Sequence, residues 1–195
     1  MLTTIADIRQ KVASFDIVKP DVWSLILPID FKTMYELGNK KSPKGTYKSV
    51  FTDMGIDHYS IDINGQDGAV PLDLRVAIDL PSRDMVTNIG TSEHVHPNQE
   101  MCFRNIHNLS HDRMVHWVPY AQTMPEHAIY GYELGFFEEL AAINDYKVEK
   151  LYIVNRVETR YVACASFRKT SDAPFRWRRN KVHAKTRIGS KWVWE

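Results

Sequence analysis

Apolar positions along the chain fall into two rhythms that alternate. In TTIADIRQKVASF, residues Ile5, Ile8, Val12 and Phe15 recur at helical spacing behind Thr3 and Thr4, either of which fits an N-cap. FKTMYEL is a short apolar and aromatic run that meets GNKKSPKG, where Gly38, Pro43 and Gly45 forbid continuation. It reads as a strand that ends in a loop. TYKSVFTDMG fits a short helix closed by Gly55, and HYSIDI alternates as a second strand. Strand, helix, strand in that order begins a parallel sheet.

Further along, AVPLDL reads as a third strand and DMVTNIG as a fourth, with Met85, Val86 and Ile89 as its apolar positions. Residues 97–109 predict a helix on Met101, Phe103, Ile106 and Leu109, and MVHWVP predicts a fifth strand stopped by Pro119. ELGFFEELAAIN predicts a helix with Leu134, Phe137, Leu140 and Ala141 on one face. KVEKLYIVNRV and TRYVACASFRK are β-rich and separated by polar residues around Glu158, which predicts a hairpin. Alternating elements closed by an antiparallel pair favour an open α/β sheet over a barrel.

A length of 195 residues, 44% hydrophobic and 25% charged, predicts one globular domain and excludes wholesale disorder or a fibre. That domain divides into an N-terminal helical segment over 1–30, an α/β core over 31–168 and a basic, aromatic tail over 169–195. No apolar run approaches the ~18 residues that span a bilayer, and the opening residues lack the order of a secretory signal, so a cytoplasmic location and no membrane contact are expected. Cys102 and Cys164 are too few and too far apart for a disulfide framework or a cysteine zinc site, and read as buried thiols. No apolar stripe singles out an oligomer interface. Residues 168–191 hold nine Lys or Arg against one acid, Asp172. Interleaved with Phe175, Trp177, Trp192 and Trp194, those charges suit phosphate contacts and base stacking, or else a solvated extension anchored by its aromatic rings.

The phrase MYELGN, an acid and a glycine turn after the first strand, resembles the first motif of class I S-adenosylmethionine-dependent methyltransferases. The resemblance covers roughly residues 31–168. It implies a Rossmann-like three-layer α/β sandwich with a mostly parallel seven-stranded sheet and an antiparallel closing hairpin. It also implies S-adenosylmethionine as cofactor, contacted by Glu36, Gly38 and Asn39. The next positions, Lys40, Lys41, Ser42 and Pro43, depart from the family's three-glycine pattern. Asp62, 26 residues beyond Glu36, matches the acid that accepts the ribose hydroxyls; it also reads as a turn or N-cap aspartate. Asp73 and Leu74 resemble the third motif, against the adenine ring, with an ordinary loop acid as the other reading of Asp73. DMVTNIGTSEHV is similar to the fourth motif in the branch of ubiquinone-type O-methyltransferases. By that likeness Asn88, Gly90 and Thr91 line the cofactor, and Glu93 and His94 face the acceptor. No phrase of the Asn-Pro-Pro-Tyr type is present, which argues against adenine-N6 or glutamine acceptors.

Methyl transfer to a hydroxyl needs the acceptor positioned and its proton removed, work suited to a histidine of pKa near ~6.5. His94 after the fourth strand and His127 after the fifth are the candidates, beside Glu93. Some relatives hold a divalent cation with two Glu and two His. Here Glu93, His94 and His127 match, but Gly90 stands at the first Glu position, so a metal is possible and not favoured. His96, His107, His111 and His116 read as locally hydrogen-bonded residues. Around the fifth strand, Trp117, Phe136 and Phe137 read as core, whereas Tyr120, Tyr130 and Tyr132 are candidates for an aromatic acceptor wall. The expected activity is O-methylation of a small or sugar-like molecule. The alternatives are a nucleic-acid methyltransferase using residues 169–195 and a methyltransferase-like binding module without turnover.

Overall fold

The computed structural model describes residues 20–26, 28–42, 45–157, 159–178, 182–188 and 191–194. The helix expected over residues 3–15 lies outside them. In chain order the elements are α1 (Pro20–Ile26), β1 (Thr33–Leu37), β2 (Lys41–Ser42), β3 (Gly45–Thr46), α2 (Tyr47–Asp53), β4 (Asp57–Ile61), β5 (Arg83–Ile89), α3 (Gln99–Leu109), β6 (Ser110–Pro119), β7 (Tyr130–Tyr132), α4 (Leu134–Ile143), β8 (Lys147–Val157), β9 (Arg160–Arg168), β10 (Val182–Ile188) and β11 (Lys191–Trp194). The main sheet has the order β4-β1-β5-β6-β9-β8; its first four strands are parallel and β9 and β8 close it antiparallel.

Strict alternation sorts the strands' side chains onto two cores. Leu37, Val86, Val118, Ala163 and Phe167 face α3 and α4, where they meet Phe103, Ile106, Phe136, Phe137 and Leu140. Their neighbours Met34, Met85, Val115, Val162 and Cys164 face α1 and α2, against Val22, Trp23, Ile26, Val50 and Phe51. Each large apolar side chain buried this way contributes roughly 1.5–3 kcal/mol. The helices start at side-chain caps: Thr46 accepts from Ser49 N at 3.2 Å ahead of α2, and Asn98 Oδ1 from Met101 N at 3.1 Å ahead of α3. Gly55, at φ +80°, ends the turn after α2.

The main sheet has six strands rather than seven. AVPLDL contributes only a lone parallel bridge between Val70 and Ile61. Val70 N donates to Ser60 O at 2.8 Å and Val70 O accepts from Asp62 N at 3.1 Å, but Pro71 has no N–H to continue the ladder. Leu72 N turns back to Val70 O at 2.9 Å, and β4 is left as the edge.

Beyond β9 the chain folds back on the domain. Phe175 is buried in the core beside α3 and α4, and Trp177 packs 5.5 Å from Phe103 and 5.7 Å from Phe136. Asn144, after α4, accepts from Arg176 N at 2.7 Å and donates to Arg176 O at 3.0 Å, fixing this return. β10 then pairs antiparallel with β7 and β11. Phe175 and Trp177 thus anchor the start of the tail to the core, in keeping with the second of the two readings of its aromatic residues. Both cysteines are buried and free, as expected. No helix among the described residues is long and apolar enough to cross a membrane.

Candidate functional site

At the carboxyl end of β1 the chain turns sharply at Gly38, whose φ of +76° disfavours a side chain. A Cβ there would lie 2.5 Å from Thr91 Oγ1, and that hydroxyl donates to Leu37 O at 2.7 Å. The ends of β1 and β5 are therefore stitched together with no room for a methyl group. Gly38 N donates to Ile61 O at 2.8 Å, which brings the end of β4 alongside. Asp62 follows at once: its Oδ2 accepts from Asn39 N at 3.2 Å and its Oδ1 from Asn64 N at 3.1 Å. A carboxylate offers about four acceptor sites, so both oxygens retain capacity for a ligand's hydroxyls.

These turns enclose a cleft of about 410 Å³ lined by Gly38, Asn39, Asp62, Asp73, Leu74, Gly90, Thr91 and His94, with Ile63, Leu72, Arg75 and Val95 among its other walls. Seven of the nine residues assigned to the cofactor by resemblance thus surround one space. Asp73 is gripped by Arg75, whose Nη2 lies 2.7 Å from Oδ2, and that guanidinium lowers the carboxyl's pKa.

The other two, Glu36 and Asn88, do not line the cleft. Glu36 is fully buried below it, where Oε1 accepts from Lys40 N and Oε2 from Ser60 Oγ, both at 3.1 Å. His58 Nε2 lies 3.1 Å away, out of line for a hydrogen bond. Asn88 shares the face of Val86 and points toward α3. It donates to Ser92 Oγ at 2.9 Å, accepts from Ser92 N at 3.0 Å, and lies 3.2 Å from His116 Nδ1. Burial lowers the His116 pKa to about 3, so the ring is neutral and its Nδ1 accepts from the amide.

That network clamps the 3₁₀ turn Ser92–His94 from beneath. Gln99 Nε2 donates to Ser92 O and Val95 O, each at 2.7 Å, and Tyr132 Oη lies 2.6 Å from Gln99 Oε1 and 3.0 Å from Ser92 Oγ. Tyr132 is a positioning residue with no exposed surface, and Tyr130 is buried against His96, 2.7 Å from its Nδ1. Neither forms an acceptor wall, contrary to the sequence expectation. Ser92 and Gln99 carried no signal in the sequence, since their partners are distant along the chain.

The clamped turn presents Glu93. Its side chain is 1% exposed and neither carboxylate oxygen has a hydrogen-bond partner. Burial raises its pKa to about 7, with the charge of Lys40 acting in the opposite sense. His94 Nε2 lies 3.8 Å and His127 Nε2 3.9 Å from Oε1, and the two rings meet edge-on at 4.9 Å. The three donor atoms fall within 4.8 Å of one another, a carboxylate and two imidazoles that suit a divalent transition metal.

Glu93 and His127 line a second cavity, of about 160 Å³, with Val22, Tyr47, Ile89, Trp117 and Arg156. Trp117, read as core from the sequence, is half-buried at this wall with Nε1 donating to Asp21 Oδ2 at 2.7 Å. Lys40 and Gly90 border both cavities, and Lys40 Nζ donates to Gly90 O at 2.6 Å across the partition. Gly90 has φ +61°, so a side chain there is strained, and its Cβ would crowd Glu93 Oε1 at 3.3 Å and Lys40 Nζ at 3.4 Å.

No protein-family model matches the chain, and no curated protein matches it in sequence. Solved structures do. A 1,6-didemethyltoxoflavin-N1-methyltransferase from Burkholderia thailandensis, with bound 1,6-didemethyltoxoflavin and S-adenosylhomocysteine, superposes with TM-score 0.62 at 15% identity, over 85% of this chain and 84% of that one. A magnesium protoporphyrin IX methyltransferase from Synechocystis PCC 6803, with bound S-adenosylmethionine, gives 0.56 at 13%, over 83% and 79%. The N-methyltransferase NodS from Bradyrhizobium japonicum WM9, in complex with S-adenosylhomocysteine, gives 0.55 at 9%, over 84% and 87%. The chain has the class I methyltransferase fold that the sequence resemblance implies.

Proposed function

We propose that this chain transfers a methyl group from S-adenosylmethionine to an oxygen atom of a small molecule. The observation that carries the reading is the pair of cavities that share Lys40 and Gly90 as walls, with the buried carboxyl of Glu93 lining the second. The first cavity fits the cofactor in kind: a glycine turn with no room for Cβ, an acid with spare acceptor capacity, and apolar walls at Ile63, Leu72 and Leu74. When bound, the cofactor supplies a methyl group activated by positive sulfur. As the acceptor oxygen takes that methyl group from the sulfur, its proton would pass to Glu93 or to an adjoining imidazole. A carboxyl with pKa near neutrality is matched to that task.

Calorimetry with S-adenosylhomocysteine tests cofactor binding. Heat of binding is expected, weakened at least tenfold by Asp62→Ala, and no heat would leave a binding module without this cofactor. Turnover is expected to fall in Glu93→Gln and in His94→Gln or His127→Gln; full turnover in all three would exclude the proton role.

The donor set supports a second reading, in which Glu93, His94 and His127 hold a divalent cation against the acceptor oxygen. Chelation with EDTA separates the two, since proton transfer by Glu93 survives it and metal-assisted transfer does not. A nucleic-acid acceptor has less support, because Phe175 and Trp177 are packed in the core and unavailable to stack on bases. Salt-dependent retention on single-stranded RNA or DNA, lost on removing residues 182–195, would restore that alternative.

A further inference from the structure

Arg156 plays no part in the scheme above, yet it forms a wall of the second cavity. It occupies a break in register between β8 and β9: Asn155 pairs with Tyr161 and Val157 with Arg160, so Arg156 is the extra residue of a bulge. Such an insertion re-aims a side chain out of the regular ladder. Here it sets the guanidinium carbon 4.8 Å above the Trp117 ring.

Burial lowers the Arg156 pKa from the usual arginine value. Among the described residues no carboxylate pairs with it. With its central carbon over the indole, its five N–H donors can meet a planar oxyanion in two-point fashion. Lys40 brings a second cation to the same walls, bonded to a neutral carbonyl; among the described residues Glu93 is the only acid of the lining, and Asp21 stands behind Trp117, bonded to its Nε1. With Glu93 held toward its neutral form by burial, the lining itself carries more positive than negative charge. Apart from His127, the rest of its lining is largely apolar or aromatic, with Trp117, Tyr47 and Ile89 among it. An apolar cavity of ~150 Å³ holds benzene, so about 160 Å³ accommodates one ring with a small substituent.

We infer that the second cavity takes acceptors bearing a carboxylate on a single planar ring, gripped by Arg156, with the methyl-accepting atom turned toward Gly90 and Glu93. As a statement about acceptors this rests on the methyl-transfer reading; as a statement about an anion site it does not.

Ligand-observed ¹⁹F NMR on the full chain, with 4-fluorobenzoate and its neutral isostere 4-fluorobenzamide, tests it without turnover. The benzoate is expected to bind at least tenfold more tightly than the amide. Arg156→Met should abolish that preference, with an unchanged circular dichroism spectrum and melting temperature reporting an intact fold, and Arg156→Lys should keep a fraction of it. Equal affinities in the unmodified protein, binding of neither probe, or a preference that survives Arg156→Met would overturn the inference. Calorimetry with S-adenosylhomocysteine on the same samples tells the two failures apart. Cofactor binding without a benzoate preference removes only the acceptor class, whereas an Arg156-dependent preference without cofactor binding keeps the anion site and removes methyl transfer.

Discussion

Glu93→Gln should make the protein more stable at alkaline pH and less active at every pH. In the folded chain the carboxyl is held at a pKa of about 7, against an ordinary 4.5. Between those values the unfolded chain has released a proton that the folded chain keeps. The unfolded state then binds fewer protons, and stability falls as pH rises through that window. Below about pH 4.5 the penalty is absent, and above about pH 7 it is present in full. Roughly two and a half pH units at ~1.4 kcal/mol each give about 3 kcal/mol. The amide keeps the shape and cannot ionise, so any loss from its own poorly paired N–H groups is the same at all pH. The diagnostic is therefore the change in the stability difference between variant and parent from pH 4.5 to pH 8, expected near 3 kcal/mol in favour of the variant. For a domain of this length that corresponds to roughly 6–12 °C in Tm. Urea titrations of both proteins in EDTA at pH 4.5, 6 and 8 measure it, and release of S-adenosylhomocysteine measures turnover, expected to fall by about 10²–10⁴. A stability difference that does not move with pH would refute the account of Glu93 as a buried, ionisable acid.

Three further substitutions probe the scaffold. Gly38→Ala puts a Cβ 2.5 Å from Thr91 Oγ1 on a backbone at φ +76°; a loss of about 1–2 kcal/mol in chemical denaturation and at least tenfold weaker S-adenosylhomocysteine binding by calorimetry are expected. Tyr132→Phe removes the hydroxyl beside Ser92 Oγ and Gln99 Oε1, which should lower stability by about 1–3 kcal/mol and slow turnover by loosening the Glu93 turn; unchanged urea midpoints would contradict the clamp. Gly131→Ala would set a Cβ 1.5 Å from Ala121 O, backbone against backbone, so no soluble folded protein is expected, as judged by gel filtration and circular dichroism.

The layers of this fold are legible because β1, β5, β6 and β9 alternate so strictly: Met34 and Tyr35, or Cys164 and Ala165, declare opposite faces one residue apart. The seventh strand was misread because AVPLDL has strand composition, while its hydrogen bonding fails at Pro71. Gly38 and Asp62 were legible as a glycine bend and an acid at strand ends, where parallel sheets bind ligands. Asn88 was misjudged although its parity was readable: it shares a face with Val86, whereas Met85 and Ile89 lie on the other. Tyr132, Gln99 and Ser92 converge only through folding, and Arg156 reaches its cavity through a bulge that no alternation pattern reveals.

The irregular first motif is explained by Lys40. It stands where the resemblance leads one to look for a second glycine, and it holds the loop at both ends. Its N–H donates to Glu36 Oε1 at 3.1 Å and its ammonium to Gly90 O at 2.6 Å. Further along, the short ladder of β2 with β3 secures the loop's return to α2. A loop rich in glycine must lose conformational freedom to close on a ligand, whereas one tied by its own side chain is already ordered. One positive φ at Gly38 suffices for the bend, and the shape of the cleft is then set by bonds to Glu36 and Gly90 rather than by further glycines. Fewer glycines therefore go with a pre-formed cleft, and the same ammonium that orders the loop adds its charge to the cavity on the far side of the partition.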